Sequence, residues 1–288
     1  MKRVSVILLM LSIAAGASSQ KQFLKEGHRG CRGLMPENTI PAMKKGLDLG
    51  VDVLEIDLVI SKDKKVLVSH DAVMNSEISL KPSGDTISKE EQRKLILYGM
   101  NYAEIRKYDV GSKHHHEFPQ QQNFPAYKPL FAELIDSTDA YARQKGMKPP
   151  SYNIEIKSNP ATDGINQPPP QEFVDLVVAI CKSKDLFKRM NIQSFDPRPL
   201  QLIHKQYPDI VLSYLTMNSK SIEENLTTLG FKPNIYSPNY KTVTKESVKY
   251  CHDNGIKILP WTINTKEEIE AIRSLGVDGI ISDYPNLL

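Results

Sequence analysis

The strongest constraint on the fold is a repeated alternation between short apolar segments and longer amphipathic ones. Eight apolar segments have the length of β-strands: residues 26–30, 53–59, 152–157, 191–195, 211–215, 235–238, 257–262 and 279–283. Seven stretches have helical periodicity: residues 39–49, 130–145, 171–184, 197–206, 219–229, 244–254 and 266–275. Strands that alternate with helices predict a parallel sheet with helical crossovers. Eight such units favour an α/β fold of the TIM (β/α)₈ barrel type, with a doubly wound open sheet as the alternative.

One further apolar segment, residues 66–70, does not fit this alternation. Only six residues separate it from the preceding strand, whereas a parallel crossover needs about a dozen. We therefore expect an antiparallel hairpin with its midpoint between Asp63 and Lys64. This midpoint places His70 opposite Asp57.

Residues 71–127 interrupt the alternation. A segment of this length is too long for an ordinary loop, and we expect a small insertion after the second barrel strand, over the mouth of the barrel. It contains helical runs at residues 88–97 and 102–108, and a run of three histidines, residues 114–116. No second set of ligands accompanies the histidines, so we expect a solvated or rim loop there.

The N-terminus has the order of a secretory signal peptide. Lys2 and Arg3 precede a mostly apolar run of about 12 residues, and small residues follow it. The run is too short to cross a membrane core, which needs about 20 residues. We expect residues 1–19 to be a signal peptide and residues 20–288 to form the barrel domain, exported to the periplasm or secreted, without stable membrane insertion.

Charge and cysteine content exclude several classes of protein. The net charge is +3, from 37 basic and 34 acidic residues, and it is close to neutral without the signal peptide. This leaves no basic surplus for binding nucleic acid. Cys31, Cys181 and Cys251 have neither disulfide-framework nor zinc-site spacing. Buried free thiols are favoured, and one disulfide remains open.

Acidic side chains gather at the C-terminal ends of the predicted strands, where TIM barrels place their active sites. Glu55 and Asp57 lie one residue apart on one strand, and Glu155 lies on the next barrel strand. Because alternate residues of a strand share a face, Glu55 and Asp57 point the same way. One divalent cation would relieve their repulsion, and an all-oxygen set favours Mg²⁺ or Ca²⁺ over Zn²⁺. Ion pairs with Arg29 and Lys157 are the alternative.

Two histidines approach the same cluster. His28 ends the first strand and His70 ends the hairpin. Imidazole titrates near neutral pH, so the pair predicts a general acid and a general base. Arg29 and Lys157 would bind an anion, and a phosphate group is the natural partner when a metal is also present.

In these residues and the motifs around them, the chain resembles the glycerophosphodiester phosphodiesterases. The motifs that carry the resemblance span nearly the whole chain: His28-Arg29-Gly30, Pro36-Glu37-Asn38-Thr39, Glu55-Ile56-Asp57, His70-Asp71, Ile154-Glu155-Ile156-Lys157, Gln193-Ser194-Phe195-Asp196, Pro260-Trp261-Thr262 and residues 278–285. One departure is Lys64, where family members often carry glycine at the turn.

The resemblance implies an activity and a set of roles. It implies metal-dependent hydrolysis of small-molecule glycerophosphodiesters to glycerol 3-phosphate and an alcohol. The implied roles are metal ligands at Glu55, Asp57 and Glu155, an acid–base pair at His28 and His70, phosphate binding by Arg29 and Lys157, pocket walls at Phe195 and Trp261, and a supporting position for Glu37. Core packing of the two aromatic residues, and a helix-start role for Glu37, are the alternatives.

Two other functions remain open at this point. A phospholipase D-like phosphodiesterase acting on lysophospholipids would share the site but need an apolar rim. A non-catalytic phosphodiester-binding protein would not need the full set of histidines and carboxylates.

Overall fold

The computed structural model describes residues 23–288, and it has a nearly closed eight-stranded parallel barrel. Its strands are β1 (Leu24–Gly27), β2 (Val53–Ile60), β3 (Val66–Val68), β4 (Ser151–Ile156), β5 (Met190–Ser194), β6 (Val211–Thr216), β7 (Ile235–Pro238), β8 (Lys257–Ile258) and β9 (Gly279–Ser282). Its α-helices are α1 (Ile40–Asp48), α2 (Lys89–Gln92), α3 (Tyr102–Ile105), α4 (Phe131–Gln144), α5 (Pro170–Ser183), α6 (Pro197–Gln206), α7 (Ile222–Leu229), α8 (Lys245–Asp253) and α9 (Lys266–Ser274). The predicted TIM-type barrel is confirmed.

The strands follow one another around the barrel in the order β8-β7-β6-β5-β4-β2-β1-β9, all parallel. The two ends of this path meet through a few backbone hydrogen bonds. The amide of Asp278 donates to the Ile258 carbonyl at 3.0 Å, and the amide of Ile281 donates to the Pro260 carbonyl at 3.1 Å. The amide of Ile263 donates back to Ile281 at 3.1 Å. These bonds exclude the open sheet.

Strand β2 lies at the centre of the molecule and is buried along its whole length. All eight of its residues are buried. Leu54, Ile56 and Leu58 belong to the main hydrophobic core, while Glu55 and Asp57 alternate with them and contact polar side chains instead. A parallel strand covered by helices on one face and by the barrel interior on the other is buried on both.

The hairpin of β2 and β3 forms, but its predicted register is wrong by one residue. Ser69, not His70, lies opposite Asp57, and its amide donates to the Asp57 carbonyl at 2.9 Å. The loop has three residues centred on Asp63, with Lys64 in the left-handed region at φ 60°. Three-residue hairpin loops typically end in such a residue. His70 therefore lies beyond the strand, which ends at Val68.

The insertion packs on this hairpin around a small core of its own. The core consists of Val59, Leu67, Met74, Ile87, Leu97 and Ile105. The helical runs expected at residues 88–97 and 102–108 are shorter, forming α2, α3 and a 3₁₀ turn at Leu97–Gly99. The chain returns beside β3, where the Val68 amide donates to the Pro129 carbonyl at 2.9 Å.

Two predictions about the cysteines and about membrane spans can be compared with the structure. The three cysteines are buried free thiols, as favoured from the sequence, and they form no disulfide with one another: Cys31, Cys181 and Cys251. Among residues 23–288, no helix has the length and apolar character needed to cross a membrane. The predicted signal peptide, residues 1–19, lies outside the described residues.

Candidate active site

The three carboxylates predicted as metal ligands come together at one end of the barrel. Asp57 of β2 and Glu155 of β4 are register partners, and Glu55 precedes Asp57 on the same face. One carboxylate oxygen from each residue lies within 4.8 Å of the others, and all three residues are buried. The parallel pairing of β2 with β4 is what brings the three together.

Glu55 has the environment of a carboxylate that lacks a counter-charge. It accepts hydrogen bonds from the Arg29 amide at 2.8 Å and from Gln193 Nε2 at 3.1 Å. Within residues 23–288, no lysine or arginine forms an ion pair with it. Burial, and then the charges of Asp57 and Glu155, raise the pKa of Glu55 well above its usual value. A divalent cation would remove this cost, so the donor set fits one.

The other two carboxylates already have cations beside them. Lys157 Nζ lies 2.8 Å from Glu155 Oε1 and 3.6 Å from Asp57 Oδ1. Asn38 Nδ2 donates to Asp57 Oδ2 at 2.8 Å. Burial opposes ionisation of Asp57, but Lys157, His70 and Arg29 outweigh it and hold the pKa of Asp57 below its usual value. The alternative of ion pairs is thus realised at Asp57 and Glu155 but not at Glu55.

His28 lies between two carboxylates. Its Nδ1 is 2.5 Å from Asp283 Oδ1, and its Nε2 is 4.0 Å from Glu55 Oε2. Burial lowers the pKa of His28, against the opposing effect of Asp283. A carboxylate can only accept, so Nδ1 donates to Asp283 and the neutral ring keeps a bare Nε2 next to the cluster.

His70 has a carboxylate partner of its own. Its Nδ1 is 3.1 Å from Asp71 Oδ1, and Asn75 Nδ2 donates to Asp71 Oδ2 at 2.7 Å. Burial opposes ionisation of Asp71, but His70 and Asn75 hold its pKa below the usual value. Both predicted catalytic histidines therefore line the cavity with Nδ1 next to an aspartate.

Arg29 is held by two carboxylates. Its backbone is left-handed at φ 50°, and Nη1 donates to both oxygens of Glu37 at 3.0 Å. Its Nε lies 3.4 Å from Asp57 Oδ2 but, like Arg32 Nε, donates no hydrogen bond within the described residues. Buried N–H groups without an acceptor suit an anion in the cavity. Glu37 thus pairs with Arg29, and Thr39 is the N-cap of α1.

A cavity of about 160 Å³ opens onto these groups. Both predicted pocket residues line it: the rings of Phe195 and Trp261 meet edge to face, with centroids 5.3 Å apart. Trp261 Nε1 donates to the Ser237 carbonyl at 2.9 Å, and Phe195 is 39% exposed. A wider cavity of about 540 Å³ adjoins it at His70, Glu155 and Phe195, and Lys157 lines the wider cavity.

The three-histidine run forms no metal group among the residues that the structure describes. His114 and His116 are exposed, as expected for a rim loop, but His115 is buried. Its ring packs on Phe118 with centroids 4.7 Å apart, and the Arg32 guanidinium lies 4.5 Å from the centre of the Phe118 ring.

Several residues of the site were missed by the sequence analysis. They are Arg32, whose Nε is 3.1 Å from Asp283 Oδ1, Asn38, Gln193 and Asp283. Each lies within or next to a motif that was recognised, and for Asn38, Gln193 and Asp283 that position was the available signal. Their side-chain partners depend on contacts between distant strands, which spacing along the chain does not reveal.

The chain is similar to known proteins over nearly its whole length. The model of the glycerophosphoryl diester phosphodiesterase family matches residues 28–287. A glycerophosphodiester phosphodiesterase from Caldanaerobacter subterraneus subsp. tengcongensis is 30% identical over 261 residues, covering 91% of this chain and 94% of the relative.

Solved structures show the same fold. One from Silicibacter pomeroyi, assigned as a glycerophosphoryl diester phosphodiesterase, has a TM-score of 0.82 at 30% identity, covering 93% of this chain and 92% of that one. An Oleispira antarctica phosphodiesterase in complex with the product sn-glycerol-3-phosphate has a TM-score of 0.70 at 23% identity, covering 91% and 93%. The chain therefore belongs to the glycerophosphoryl diester phosphodiesterase family, as its motifs predicted.

Proposed function

We propose that this protein hydrolyses glycerophosphodiesters to glycerol 3-phosphate and an alcohol, with one divalent cation, Mg²⁺ or Ca²⁺, held by Glu55, Asp57 and Glu155. The observation that carries the proposal is the buried carboxylate cluster flanked by two histidines, each anchored by its own aspartate. Family membership supports the substrate class.

Each group has a distinct task in this reaction. When bound, the cation supplies positive charge for the phosphoryl oxygens. Arg29 and Lys157 orient the phosphate by charge-assisted hydrogen bonds. His28, neutral because it is buried, accepts a proton from the attacking water or substrate hydroxyl, and His70 donates one to the leaving alkoxide.

The direct test is turnover of glycerophosphocholine by the purified protein, followed by ³¹P NMR. We expect glycerol 3-phosphate to form with Mg²⁺ or Ca²⁺ and its formation to stop when a chelator is added. His28→Ala and His70→Ala should each lower the rate by roughly 10²–10⁴-fold, as expected for removal of a general acid or base. Full activity in Glu55→Ala would contradict the metal assignment.

A comparison of substrates separates the remaining alternatives. A preference for lysophosphatidylcholine over glycerophosphocholine would favour the phospholipase D-like function. Calorimetric binding of glycerophosphocholine without turnover would favour a binding protein. The wider cavity has polar side chains, Asn159 and Thr162, beside apolar ones, Pro160, Phe195 and Pro197, so this substrate comparison decides between the two activities.

The exported location rests on the N-terminal sequence alone. We propose removal of residues 1–19 and release to the periplasm or the medium. Mass spectrometry of the mature N-terminus in fractionated cells tests it, and an intact Met1 on the cytoplasmic form as the main species would refute it.

A further inference from the structure

A buried lysine outside the proposed catalytic set is connected by hydrogen bonds to the turn that contains His70. Lys128 lies where the insertion returns to the barrel, and it is 5% exposed. Its Nζ donates to Ser69 Oγ at 2.8 Å, and Ser69 Oγ donates to the Asp71 carbonyl at 2.7 Å. The ammonium is thus connected to the turn that carries His70.

This lysine occupies an unfavourable place for a charge. Lysine is almost never fully buried without a partner. Within residues 23–288, Lys128 forms no ion pair within 4.0 Å, and its one side-chain hydrogen bond goes to Ser69. Burial lowers the pKa of Lys128, while Asp71, Glu37 and Asp57 act in the opposite direction. The nearby carboxylates are therefore what favours an ammonium at this position.

The other proposed catalytic histidine, His28, also has a carboxylate partner and a basic side chain near it. His28 is anchored by Asp283, and Arg32 Nε lies 3.1 Å from the same Asp283 oxygen. On the His70 side, Asp71 anchors the ring, and the charge of Lys128 helps to keep the pKa of Asp71 low. Each imidazole thus has a carboxylate partner with a basic side chain near it. Arg32 contacts the Asp283 carboxylate directly, whereas Lys128 lies more than 4.0 Å from the Asp71 carboxylate and is connected to the Asp71 backbone through Ser69.

We propose that Lys128 is a positioning residue for His70: through Ser69 and Asp71 it fixes the turn and keeps the Nδ1 side of the ring hydrogen-bonded, so that Nε2 faces the reacting phosphodiester. The proposal rests on the proposed function, because it takes His70 as the acid–base group. It also connects the end of the insertion to the chemistry, because Lys128 directly follows residue 127.

The first test compares Lys128→Met and Ser69→Ala with the unmodified protein. Methionine keeps the apolar stem and removes the ammonium. We expect kcat to fall by roughly 10- to 100-fold, the range typical of groups that orient a functional side chain. The KM for glycerophosphocholine and the calorimetric affinity for Mg²⁺ should stay unchanged. The double variant should lose little more than the worse single variant, because both changes break one connection.

The control is Lys107→Met, an exposed lysine in the same insertion, which should keep the original kcat. A second substrate separates positioning from general damage. Bis(p-nitrophenyl) phosphate has a leaving group that needs no proton, so Lys128→Met should retain far more activity on it. Equal losses on both substrates, or an unchanged kcat on glycerophosphocholine, would overturn the proposal.

A readout without turnover keeps the inference separate from the proposed function. In ¹⁵N-histidine NMR spectra, at a pH where imidazole is neutral, His70 should carry its proton on Nδ1. Lys128→Met should give a mixture of tautomers, whereas Lys107→Met should not. An unchanged His70 spectrum refutes the role of Lys128. A protein that cleaves no glycerophosphodiester refutes the proposed function, while the NMR result still decides the positioning role.

Discussion

Glu26 is a buried carboxyl group of β1 whose protonation should affect the stability of the fold. It lies below the carboxylate cluster, where Asn153 Nδ2 donates to Glu26 Oε2 at 2.9 Å and also to Gln193 Oε1 at 3.0 Å. Gln193 in turn donates to Glu55. Burial raises the pKa of Glu26 from its usual 4.5 to about 7, with a smaller contribution from Asp52. Glu26 therefore binds its proton more tightly in the folded chain than in the unfolded one.

The consequence is a loss of stability as pH rises. From about pH 4.5 to about pH 7, the folded state retains a proton that the unfolded state releases, and the penalty above that range is about 3 kcal/mol. Glu26→Gln should remove this dependence and raise the free energy of unfolding at alkaline pH, with little change at acidic pH. Urea unfolding at both pH values measures it. The exposed Glu270→Gln is the control, and an equal pH dependence in Glu26→Gln would contradict the assignment.

At the scale of single residues, the sequence predicted the groups that carry chemistry better than the groups that hold them. His28, Glu55, Asp57 and Glu155 could be found because strand ends and alternate residues place them on one face. The contacts made by Asp283 and Lys128 could not be predicted. Their contacts join residues 255 and 59 positions apart in the chain, for His28–Asp283 and Lys128–Ser69.

At the scale of elements, the connection from β1 to α1 depends on close packing at Gly30. Its φ is 87°, and a Cβ there would lie 2.7 Å from the Ala42 carbonyl carbon. Gly50 is a matched case, because its φ is 77° but a Cβ there would meet nothing within 4 Å. The two glycines separate backbone conformation from close approach.

Alanine substitutions at these glycines should therefore differ. Gly50→Ala should cost roughly 1–2 kcal/mol, the penalty of a left-handed backbone. Gly30→Ala should cost a further 1–3 kcal/mol or so from overpacking, and should also lower activity because it moves Arg29. Urea unfolding and turnover measure both effects. Equal destabilisation by the two substitutions would mean that α1 moves away freely.

The elements themselves were largely predictable from periodicity, while one register was not. All eight barrel strands and seven crossover helices occur where the alternation indicated, with ends that shift by a few residues. The predicted hairpin register was wrong because the register depends on the left-handed backbone of Lys64. Lysine, unlike glycine, does not indicate such a conformation in a sequence.

At the scale of the whole molecule, metal binding should be coupled to folding. The proposed ligands come from β2 and β4, so a cation would link two strands that are about a hundred residues apart in sequence and would relieve the repulsion between their carboxylates. A ligand that binds only the folded state at 100 times its Kd stabilises it by about 2.7 kcal/mol.

Thermal unfolding with and without Mg²⁺ or Ca²⁺ tests this coupling. The Tm of the unmodified protein should rise with cation concentration and fall back when a chelator is added. Glu55→Gln should lose most of the cation-dependent rise, whereas Glu270→Gln should keep it. A rise of the same size in Glu55→Gln would place the cation elsewhere.

The place where β8 meets β9, called the seam here, should determine how the enzyme loses activity on heating. These two strands are the ends of the strand path and are joined by a few backbone hydrogen bonds instead of a regular ladder. Beside them Asn264 Nδ2 donates to Asp283 Oδ2 at 2.7 Å. The amides of residue 259 and residues 261–263 should exchange with deuterium sooner than those of β2 and β4. Because Asp283 also anchors His28, partial opening at this seam would disturb the catalytic base while the rest of the barrel stays folded. Heat inactivation should then begin below the temperature of global unfolding, and fully reverse on cooling.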